Sequence, residues 1–441
     1  MKITLLTYGS RGDVQPYIAL GLGLKAAGHQ VRIATARLYE SFVKGYGLDF
    51  APLAGNPQAT LSSPDWIDFA EHGRHRLFHV RQGAQILLGD VLEDHLQDSW
   101  QACQGTDAII SMPLVPSGFH IAEKLGVPFF PAWTCPFTPT PAFPHGHLTV
   151  QAPFPFTGMV NRLSHHLAAK EFQSVIGAPI HRWRTQTLKL PAIPTRNIHH
   201  LPTLYGYSPS LLPKPQDWGD WLHVTGYWFL DDSLNWQPSQ ALLDFLDSGS
   251  APVYIGFGSL PESDPARTSQ LIVDAVQQAG QRAIVETGWG SLGDIDLPPQ
   301  IFKMQPQDAP HRWLFPRMAG LIHHGGMGTL SSGLRAGKPT TVIYAPITDY
   351  YLWGSRIAEL NIGTAPLPKK GLAAEQLAQA IRTLVTDTAL QSRAAAFGEK
   401  MRAENGVANA VRAFHHHLPS GLLADSTPQA LQNRIYAGEP L

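Results

Sequence analysis

The stretch GLIHHGGMGTLSSGLRAG, residues 320–337, decides the fold of the second half of this chain. An apolar run ends in His323 and His324, a glycine-rich turn follows, and helical spacing begins at Thr329. Glycine lets the backbone approach a ligand closely, and the free N–H groups at the start of a helix favour an anion. The pattern predicts a strand, a turn and a helix that bind a diphosphate, with His324 as a side-chain donor. A glycine-rich turn without a ligand is the alternative.

The start of the chain has a similar pattern. Residues 3–7 are a short apolar run of the buried-strand type, Gly9 and Gly12 predict a tight turn, and Pro16 suits the first position of a helix. Asp13 is then expected beyond the carboxyl end of the strand, where open α/β sheets bind ligands. It is a candidate catalytic residue, although an aspartate before a helix is commonly a cap. The glycines lack the G-x-G-x-x-G spacing of dinucleotide-binding proteins.

Composition excludes several classes of protein. Lys+Arg 33 against Asp+Glu 34 leaves a net charge of -1 without a basic run, so we expect no nucleic-acid partner. No apolar stretch approaches the roughly 20 residues that span a bilayer. Met1 and Lys2 run directly into the first strand, and two cysteines form no disulfide framework, which together favour the cytoplasm. The 20 histidines show no metal-ligand spacing, so no metal site is predicted.

Strands alternate with helices in two halves, which predicts parallel, doubly wound sheets. The first half has expected strands at 3–7, 31–35, 107–111 and 127–132, and helices near 17–27, 80–100 and 117–125. The second half has expected strands from 252 and at 283–286, 320–323 and 340–344, and helices at 267–279, 329–336, 352–359 and 373–385. The proline-rich segment 208–218 marks the change between them. We therefore expect domains at 1–212 and 251–418, a linker at 213–250 and a tail at 419–441.

A proline- and aromatic-rich stretch, residues 128–144, continues to Thr157 and predicts long irregular loops. Six aromatic residues of this region could line a flat apolar pocket for an acceptor molecule: Phe129, Trp133, Phe137, Phe143, Phe154 and Phe156. Packing against one another as ordinary core is an equal alternative. Docking on a membrane surface is a third, although the segment lacks accompanying lysines.

The chain resembles the GT-B fold glycosyltransferases that use nucleotide-activated sugars, within the UDP-glycosyltransferase family, and among them the sterol glucosyltransferase-like branch. The resemblance covers nearly the whole chain. It depends on five stretches, which are 9–16 (GSRGDVQP), 141–145 (PAFPH), 208–230, 310–316 (PHRWLFP) and 323–329 (HHGGMGT). The first and last are shared across many such transferases, and the middle three indicate the sterol-like branch.

The resemblance implies two Rossmann-like domains facing across a cleft, with the acceptor on the first and the nucleotide sugar on the second. Related enzymes place a histidine or aspartate at the position of Asp13 and use it as the base. Asp13 would take the proton of the acceptor hydroxyl as the oxygen attacks the anomeric carbon with inversion. A carboxylate is a weak base for an alcohol, so we expect an apolar pocket to raise its pKa.

The resemblance also implies donor-binding residues, and no metal or other cofactor is needed to stabilise the leaving diphosphate. These residues are Ser259, His311, His324, Gly326, Gly328, Thr329, Asp349 and Tyr350. Asp349 matches the acidic residue that usually contacts sugar hydroxyls. Asp294 and Asp296 imitate the metal-binding pair of a different glycosyltransferase fold, and we interpret them as a solvated turn.

Two departures from the family bear on the donor. Tyr350 stands where many relatives have a glutamine that hydrogen-bonds the sugar, which weakens the expectation of glucose. Asp308 and Ser332 stand where plant-type relatives have a tryptophan and a glutamate for the base and the ribose, which weakens the choice of uridine over thymidine diphosphate.

The sequence thus predicts an inverting, metal-independent hexosyltransferase that uses a nucleotide sugar, with UDP-glucose expected, and a hydrophobic small-molecule acceptor such as a sterol-like lipid. We expect a monomer with peripheral membrane contact. A catalytically silent GT-B homologue acting as a partner or regulator is the main alternative. A nicotinamide-dependent oxidoreductase is a further one, against which the missing dinucleotide fingerprint argues.

Overall fold

The structure is a computed structural model that describes residues 1–72, 79–146, 156–192, 200–230, 236–258, 263–287, 297–305, 308–345 and 349–419. In these residues the chain forms two α/β domains, each built on one parallel sheet. This confirms the predicted fold class of two parallel, helix-flanked sheets. Because parallel strands place their carboxyl ends at one edge, each domain offers one functional edge to the other.

The first sheet has seven strands in the described residues. They are β1 Lys2–Leu6, β2 Gln30–Ala36, β3 Asp49–Leu53, β4 Ala108–Ser111, β5 Phe129–Trp133, β6 Thr203–Tyr205 and β7 Leu222–Val224. The order across the sheet is β3-β2-β1-β4-β5-β6-β7, so the order reverses between β1 and β4 and a crevice opens there. The helices of this half are α1 Arg11–Ala26, α2 Glu40–Gly45, α3 Pro57–Leu61, α4 Pro64–His72, α5 His79–Leu88, α6 Leu92–Ala102, α7 Ser117–Leu125 and α8 Thr157–Gln186.

The second sheet has six strands in the described residues. They are β8 Val253–Gly256, β9 Ala283–Glu286, β10 Ile301–Met304, β11 Gly320–His323, β12 Thr340–Tyr344 and β13 Leu367–Pro368, in the order β10-β9-β8-β11-β12-β13. The switch point lies between β8 and β11. The helices of this half are α9 Gln240–Asp247, α10 Pro265–Ala279, α11 His311–Leu314, α12 Met327–Arg335, α13 Tyr350–Glu359, α14 Ala374–Thr386, α15 Thr388–Ala403 and α16 Gly406–His416.

Three local predictions were wrong. The single helix expected at 80–100 is two helices, because α5 ends at Leu88 and α6 begins at Leu92. Pro16 lies inside α1 rather than at its first position, since that helix already begins at Arg11. The short strands β3, β6, β7, β10 and β13 were not predicted, because runs of two to five residues such as DFAPL carry little periodic signal.

The longest helix in the described structure was not predicted. This helix, α8, begins at Thr157, where the predicted irregular stretch ends, and continues for 30 residues with Pro179 inside it. Its buried residues recur every three or four positions, as in Asn161, Ser164, His165 and Ala168, which is the pattern of a helix with one face on a core. Because several of these buried residues are polar, the segment lacks the apolar periodicity that would indicate a helix.

The last helix, α16, returns to the first domain. Val411 and Phe414 belong to the same buried core as β1 and α1, and a Cβ added at Gly23 of α1 would overlap Val407. The Nε2 atoms of His29 and His415 lie 2.8 Å apart at this contact. Residues near the end of the predicted second domain therefore complete the core of the first.

An aromatic cluster joins the two domains below the cleft. Tyr205 and Trp218 stack with their ring centres 4.9 Å apart, and they share a buried cluster with Trp353 of α13. A hydrogen bond of 2.7 Å from the Ser208 hydroxyl to Glu404 adds a polar contact. The proline-rich segment at 208–218 is thus packed against the second domain, which fixes the two sheet edges in relation to each other.

Candidate active site

A cleft of about 1590 Å³ separates the two sheet edges. The first domain contributes the turn after β1 with Asp13, together with residues after β4 and β5. The second contributes the turn after β11, with His324 and Gly326, and the start of α13. The cleft brings together most of the residues that the sequence indicated, although they lie more than 300 positions apart in the chain.

Asp13 is the third residue of α1 and faces the cleft. Its Oδ2 atom accepts hydrogen bonds from the backbone N–H of Ser10 at 2.7 Å and from the Ser10 hydroxyl at 2.9 Å. Burial raises the pKa of Asp13, the two hydrogen bonds from Ser10 oppose that rise, and the charge of Asp349 adds to it. Ser10 is the N-cap of α1, so Asp13 is the N3 residue of a capping box rather than a cap that precedes the helix, and its carboxylate is a stronger base than that of an exposed aspartate.

The strand-to-helix turn after β11 is shaped by its first histidine. His323 is fully buried, and its Nδ1 accepts the backbone N–H of Gly325 at 2.9 Å. Gly325 has φ +95, where a side chain would be strained, and a Cβ there would lie 2.9 Å from Tyr350. His323 is thus a structural residue of the turn, whereas the next histidine faces the cleft.

The N-terminus of α12 points into the cleft. Gly326 is its N-cap and has no side chain to cap the helix, and a Cβ at Gly328 would meet no atom within 4 Å. The first-turn N–H groups, including that of Thr329, therefore lie beside open space in the cleft. This arrangement suits a phosphate, because the N–H groups and the helix dipole both favour an anion.

His324 lies beside this turn with its ring held between two glycines. A Cβ at Gly258 or Gly326 would overlap the imidazole. Burial lowers the pKa of His324 to about 4, against the opposing effects of a hydrogen bond to the backbone of Gly256 and the charge of Glu286. Its Nδ1 atom is buried without a hydrogen-bond partner among the described residues. Since Nδ1 has no partner, the bond to Gly256 is made by Nε2–H, so Nδ1 of the neutral ring is an acceptor and can donate to an anion only after it takes a second proton.

Glu286, at the end of β9, lines the same cleft and was missed by the sequence analysis. Its Oε2 lies 3.3 Å from His311 Nε2, and His311 stacks on Phe315 with ring centres 4.2 Å apart. Burial alone would raise the pKa of Glu286, but the hydrogen bond and charge of His311 bring it below its usual value. His311 therefore lies in the cleft as predicted, and its ring is oriented by a carboxylate. The sequence signal that could have identified Glu286 is its position as a polar residue at the end of a buried strand.

Asp349 and Cys135 meet across the cleft. Asp349 is the N-cap of α13, and its Oδ2 accepts hydrogen bonds from Trp353 Nε1 and, at 2.9 Å, from Cys135 Sγ. Burial, and then the charge of Asp349, raises the pKa of the Cys135 thiol, which keeps its proton and remains a donor. One oxygen of Asp349 is thus already engaged by protein groups, including one from the first domain. Tyr350 follows, with its ring edge-on to His324 at 5.3 Å between centres.

The acceptor side is mostly apolar and involves more segments than predicted. Phe129, Trp133 and Phe137 line the cleft, whereas Phe143 packs instead against Trp218, with ring centres 6.1 Å apart. Phe156 is exposed and is not among the lining residues, and Phe154 lies outside the described residues. Most of the remaining apolar lining comes from helices that the sequence analysis did not connect with the site. Examples are Trp66, Phe69, Leu87, Phe119, Phe172 and Ile176.

Ser259, the remaining predicted donor residue, lies outside the described residues, as do Asp294 and Asp296. Among the residues that the structure describes, no group of three or more His, Cys, Asp and Glu side chains is arranged to hold a metal ion. No helix in the described ranges is both long and apolar enough to cross a membrane.

Known proteins resemble the chain in both halves. Residues 3–144 match the glycosyltransferase family 28 N-terminal domain, and residues 272–415 match the erythromycin biosynthesis protein CIII-like C-terminal domain. A sterol 3-beta-glucosyltransferase of Cryptococcus neoformans is 38% identical over 95% of this chain. The chain thus has the GT-B fold and carries a match to a glycosyltransferase domain in its first half. The predicted relation to the sterol glucosyltransferase-like branch is also confirmed, although the chain spans only 27% of that relative's length.

Solved structures support the same fold for this GT-B chain. The glycosyltransferase of kitacinnamycin has a TM-score of 0.68 at 17% identity, covering 95% of this chain and 99% of its own. A Streptomyces sp. SF2575 glycosyltransferase complexed with thymidine diphosphate has a TM-score of 0.60 at 18% identity, covering 94% and 99%. At such identities the similarity concerns the fold alone. Within that fold, the cleft of this GT-B chain carries an aspartate on one side and a phosphate-type turn on the other.

Proposed function

We propose that this chain is an inverting glycosyltransferase that moves a hexose from a nucleotide diphosphate sugar to a hydroxyl of an apolar, sterol-like acceptor. The observation that carries the proposal is the pairing of Asp13, a carboxylate with a raised pKa, with the open helix N-terminus at Gly326 in one cleft. Proton removal from an alcohol and stabilisation of a leaving diphosphate need these two groups on opposite sides of the reacting carbon.

In the proposed reaction, Asp13 takes the proton of the acceptor hydroxyl while its oxygen forms a bond to the anomeric carbon. The bond from that carbon to the diphosphate oxygen breaks, and the electron pair leaves with the diphosphate. The N–H groups of Gly328 and Thr329 stabilise the negative charge that develops there, and His324 adds a donor when the anionic diphosphate draws a proton from solvent onto its Nδ1. Displacement from the opposite face converts an α-linked donor into a β-glycoside, and the proposal requires no metal.

The donor proposed is UDP-glucose. A relative named sterol 3-beta-glucosyltransferase supports glucose, while a structural neighbour complexed with thymidine diphosphate supports testing TDP-sugars alongside. Asp349 is proposed to bind sugar hydroxyls through its Oδ1 atom. The hydrogen bonds from Cys135 and Trp353 both end on the other oxygen, Oδ2. His311, oriented by Glu286, is proposed to contact the nucleotide.

The acceptor proposed is a sterol-like lipid. A rigid apolar molecule of that class needs a long apolar cavity, and Phe129, Trp133 and Phe137 together with the helices α4, α5 and α8 supply one. We also propose that the protein is a cytoplasmic monomer with peripheral membrane contact. A catalytically silent homologue remains the second candidate, favoured only by the substitution of Tyr350 at the sugar site.

The test is a transfer assay. The protein is incubated with UDP-glucose, UDP-galactose, UDP-xylose or TDP-glucose and a detergent-dispersed 3β-hydroxysterol, and products are measured by mass spectrometry. The proposal expects a hexosyl sterol, whose anomeric proton coupling identifies a β-linkage. Nucleotide binding in a thermal-shift assay without transfer to any of a panel of apolar alcohols would support the silent homologue instead.

A further inference from the structure

The first half of α8 exposes a stripe of large apolar side chains. Phe156, just before the helix, is 58% exposed, and Met159, Leu163 and Leu167 are 70%, 53% and 41% exposed. They account for four of the five exposed large hydrophobic residues in the described parts of the chain. With about 100° of rotation per residue, the four positions fall within roughly 80° of the helix circumference. We call these four residues the apolar stripe.

Hydrogen bonds on the opposite face of α8 hold the helix so that the apolar stripe faces solvent. Asn161 donates to the carbonyl of Pro141 at 2.9 Å, and the buried hydroxyl of Ser164 accepts the backbone N–H of His145 at 2.8 Å. His165 is buried within hydrogen-bond reach of the carbonyls of Phe137 and Phe143. The helix therefore cannot turn its apolar residues inward without losing several buried hydrogen bonds.

The charges beside the apolar stripe favour an anionic lipid surface over a protein with a basic face. Residues 156–170 contain no aspartate or glutamate, whereas Arg162, His166 and Lys170 are all exposed. By the same rotation, Arg162 and His166 lie beside the stripe and Lys170 lies in line with it, about one turn beyond Leu167. Arg162 contacts Asp217 at 3.3 Å, and Lys170 has no ion pair with any described residue. Apolar side chains flanked by cations are the pattern of helices that lie in the interface of anionic membranes.

The same helix also reaches the cleft. Further along it, Ala168, Phe172 and Ile176 line the cavity proposed for the acceptor. A sterol-like acceptor dissolves in lipid rather than in water, so its route into the cavity begins at a bilayer. We propose that the apolar stripe docks on the surface of an anionic lipid bilayer and brings the acceptor side of the cleft to the membrane. This proposal rests on the proposed function for its acceptor, but the docking itself can be measured without any substrate.

The experiment measures binding of the full chain to phosphatidylcholine vesicles with and without phosphatidylglycerol, by co-sedimentation. We expect binding that needs phosphatidylglycerol and weakens with salt. The triple variant Met159→Gln/Leu163→Gln/Leu167→Gln should lower the partition coefficient by on the order of tenfold or more, because three large apolar side chains no longer insert. The matched control is Leu38→Gln, which changes an exposed leucine outside the helix and should leave partitioning unchanged.

Three readouts separate the outcomes. Thermal unfolding should be the same in the triple variant and the wild type, because all three positions are exposed. Equal vesicle binding by wild type and triple variant would overturn the proposal. So would a wild-type dimer in analytical ultracentrifugation that the triple variant abolishes, since a second copy would then cover the stripe. The wild type could transfer no sugar while the triple variant still lost vesicle binding. That result would support membrane docking and show that the proposed function is wrong.

Discussion

The two sides of the cleft are built in different ways. The donor side is dominated by one contiguous turn, from His323 to Thr329, with a second contribution at the start of α13. The acceptor side combines the turn after β1, the segment after β5 and side chains from α4, α5, α7 and α8. The donor side could be recognised from one short motif, whereas the sequence indicated only the part of the acceptor side near Asp13 and β5 and not its helices.

This difference follows from what each side has to bind. A diphosphate is recognised by backbone N–H groups, which a short glycine-rich turn presents regardless of what is packed elsewhere. An apolar molecule is recognised by shape, and shape comes from side chains that distant segments bring together. The following predictions test this contrast, from the largest expected effect to the smallest.

Asp13→Asn should keep the fold and donor affinity but lower turnover by about 100-fold or more, the usual contribution of a general base. Asparagine has the same shape and can still be contacted by Ser10, but it cannot take the proton of an alcohol. The measurement is the initial rate of transfer to a sterol, with UDP affinity measured in parallel. Asp247→Asn, at an exposed position in α9, is the control. Near-wild-type transfer by Asp13→Asn would leave the residue as a helix cap only.

On the donor side, His324→Ala should weaken UDP binding more than Thr329→Ala. The unpartnered Nδ1 of His324 becomes a donor to phosphate once the anion draws a proton onto it, whereas Thr329 is expected to act mainly through its backbone N–H, which alanine keeps. A lost hydrogen bond to a charged group costs roughly 1.5–3 kcal/mol, or about tenfold or more in affinity. Calorimetric titration with UDP measures both variants. Unchanged affinity in His324→Ala would mean that the turn binds through its backbone alone.

The first domain should lose stability in mild acid through its contact with α16. Burial, and then the neighbouring His415, lowers the pKa of His29 to about 4, and burial lowers the pKa of His415. A histidine with a depressed pKa binds its proton more readily in the unfolded chain, so its stabilising effect is complete above about pH 6.5 and is lost as the pH falls toward 4.

Thermal unfolding between pH 7 and pH 5 measures this effect. We expect the midpoint to fall with pH in the wild type and to fall less steeply in His29→Gln. His181→Gln, at an exposed position in α8, is the matched control and should keep the wild-type slope. Equal slopes in all three proteins would show that the contact with α16 does not titrate in this range.

Tyr350→Gln should produce the smallest change, a shift of donor preference toward UDP-glucose. Tyrosine offers one hydroxyl where an amide would offer a donor and an acceptor, and its ring rests edge-on against His324. Sites that lack a hydrogen-bonding partner for a hydroxyl discriminate weakly against sugars without it. Competition among UDP-glucose, UDP-galactose, UDP-xylose and TDP-sugars measures the preference in both proteins. Strict use of UDP-glucose by both would mean that residue 350 does not select the sugar.

Prediction from sequence succeeded where local signals were strong. The strands at 283–286, 320–323 and 340–344 begin and end where their apolar runs do. No helix was predicted at α8, because its buried face includes polar residues such as Asn161 and Ser164 and gives no apolar periodicity. Glu286 was missed because its significance depends on His311, which reaches it from a different segment.

The sequence by itself determined the fold class, the two glycine turns and the residues His324, Gly326 and Asp13 that mark the cleft. These depend on periodicity and on backbone conformations that only glycine adopts readily, which are properties of a few adjacent residues. Only the tertiary structure decided that Phe143 leaves the cleft, that Cys135 contacts Asp349, and that α16 closes the core of the first domain. Those outcomes depend on packing between segments far apart in the chain, and no local pattern of residues encodes the partner that a side chain will meet.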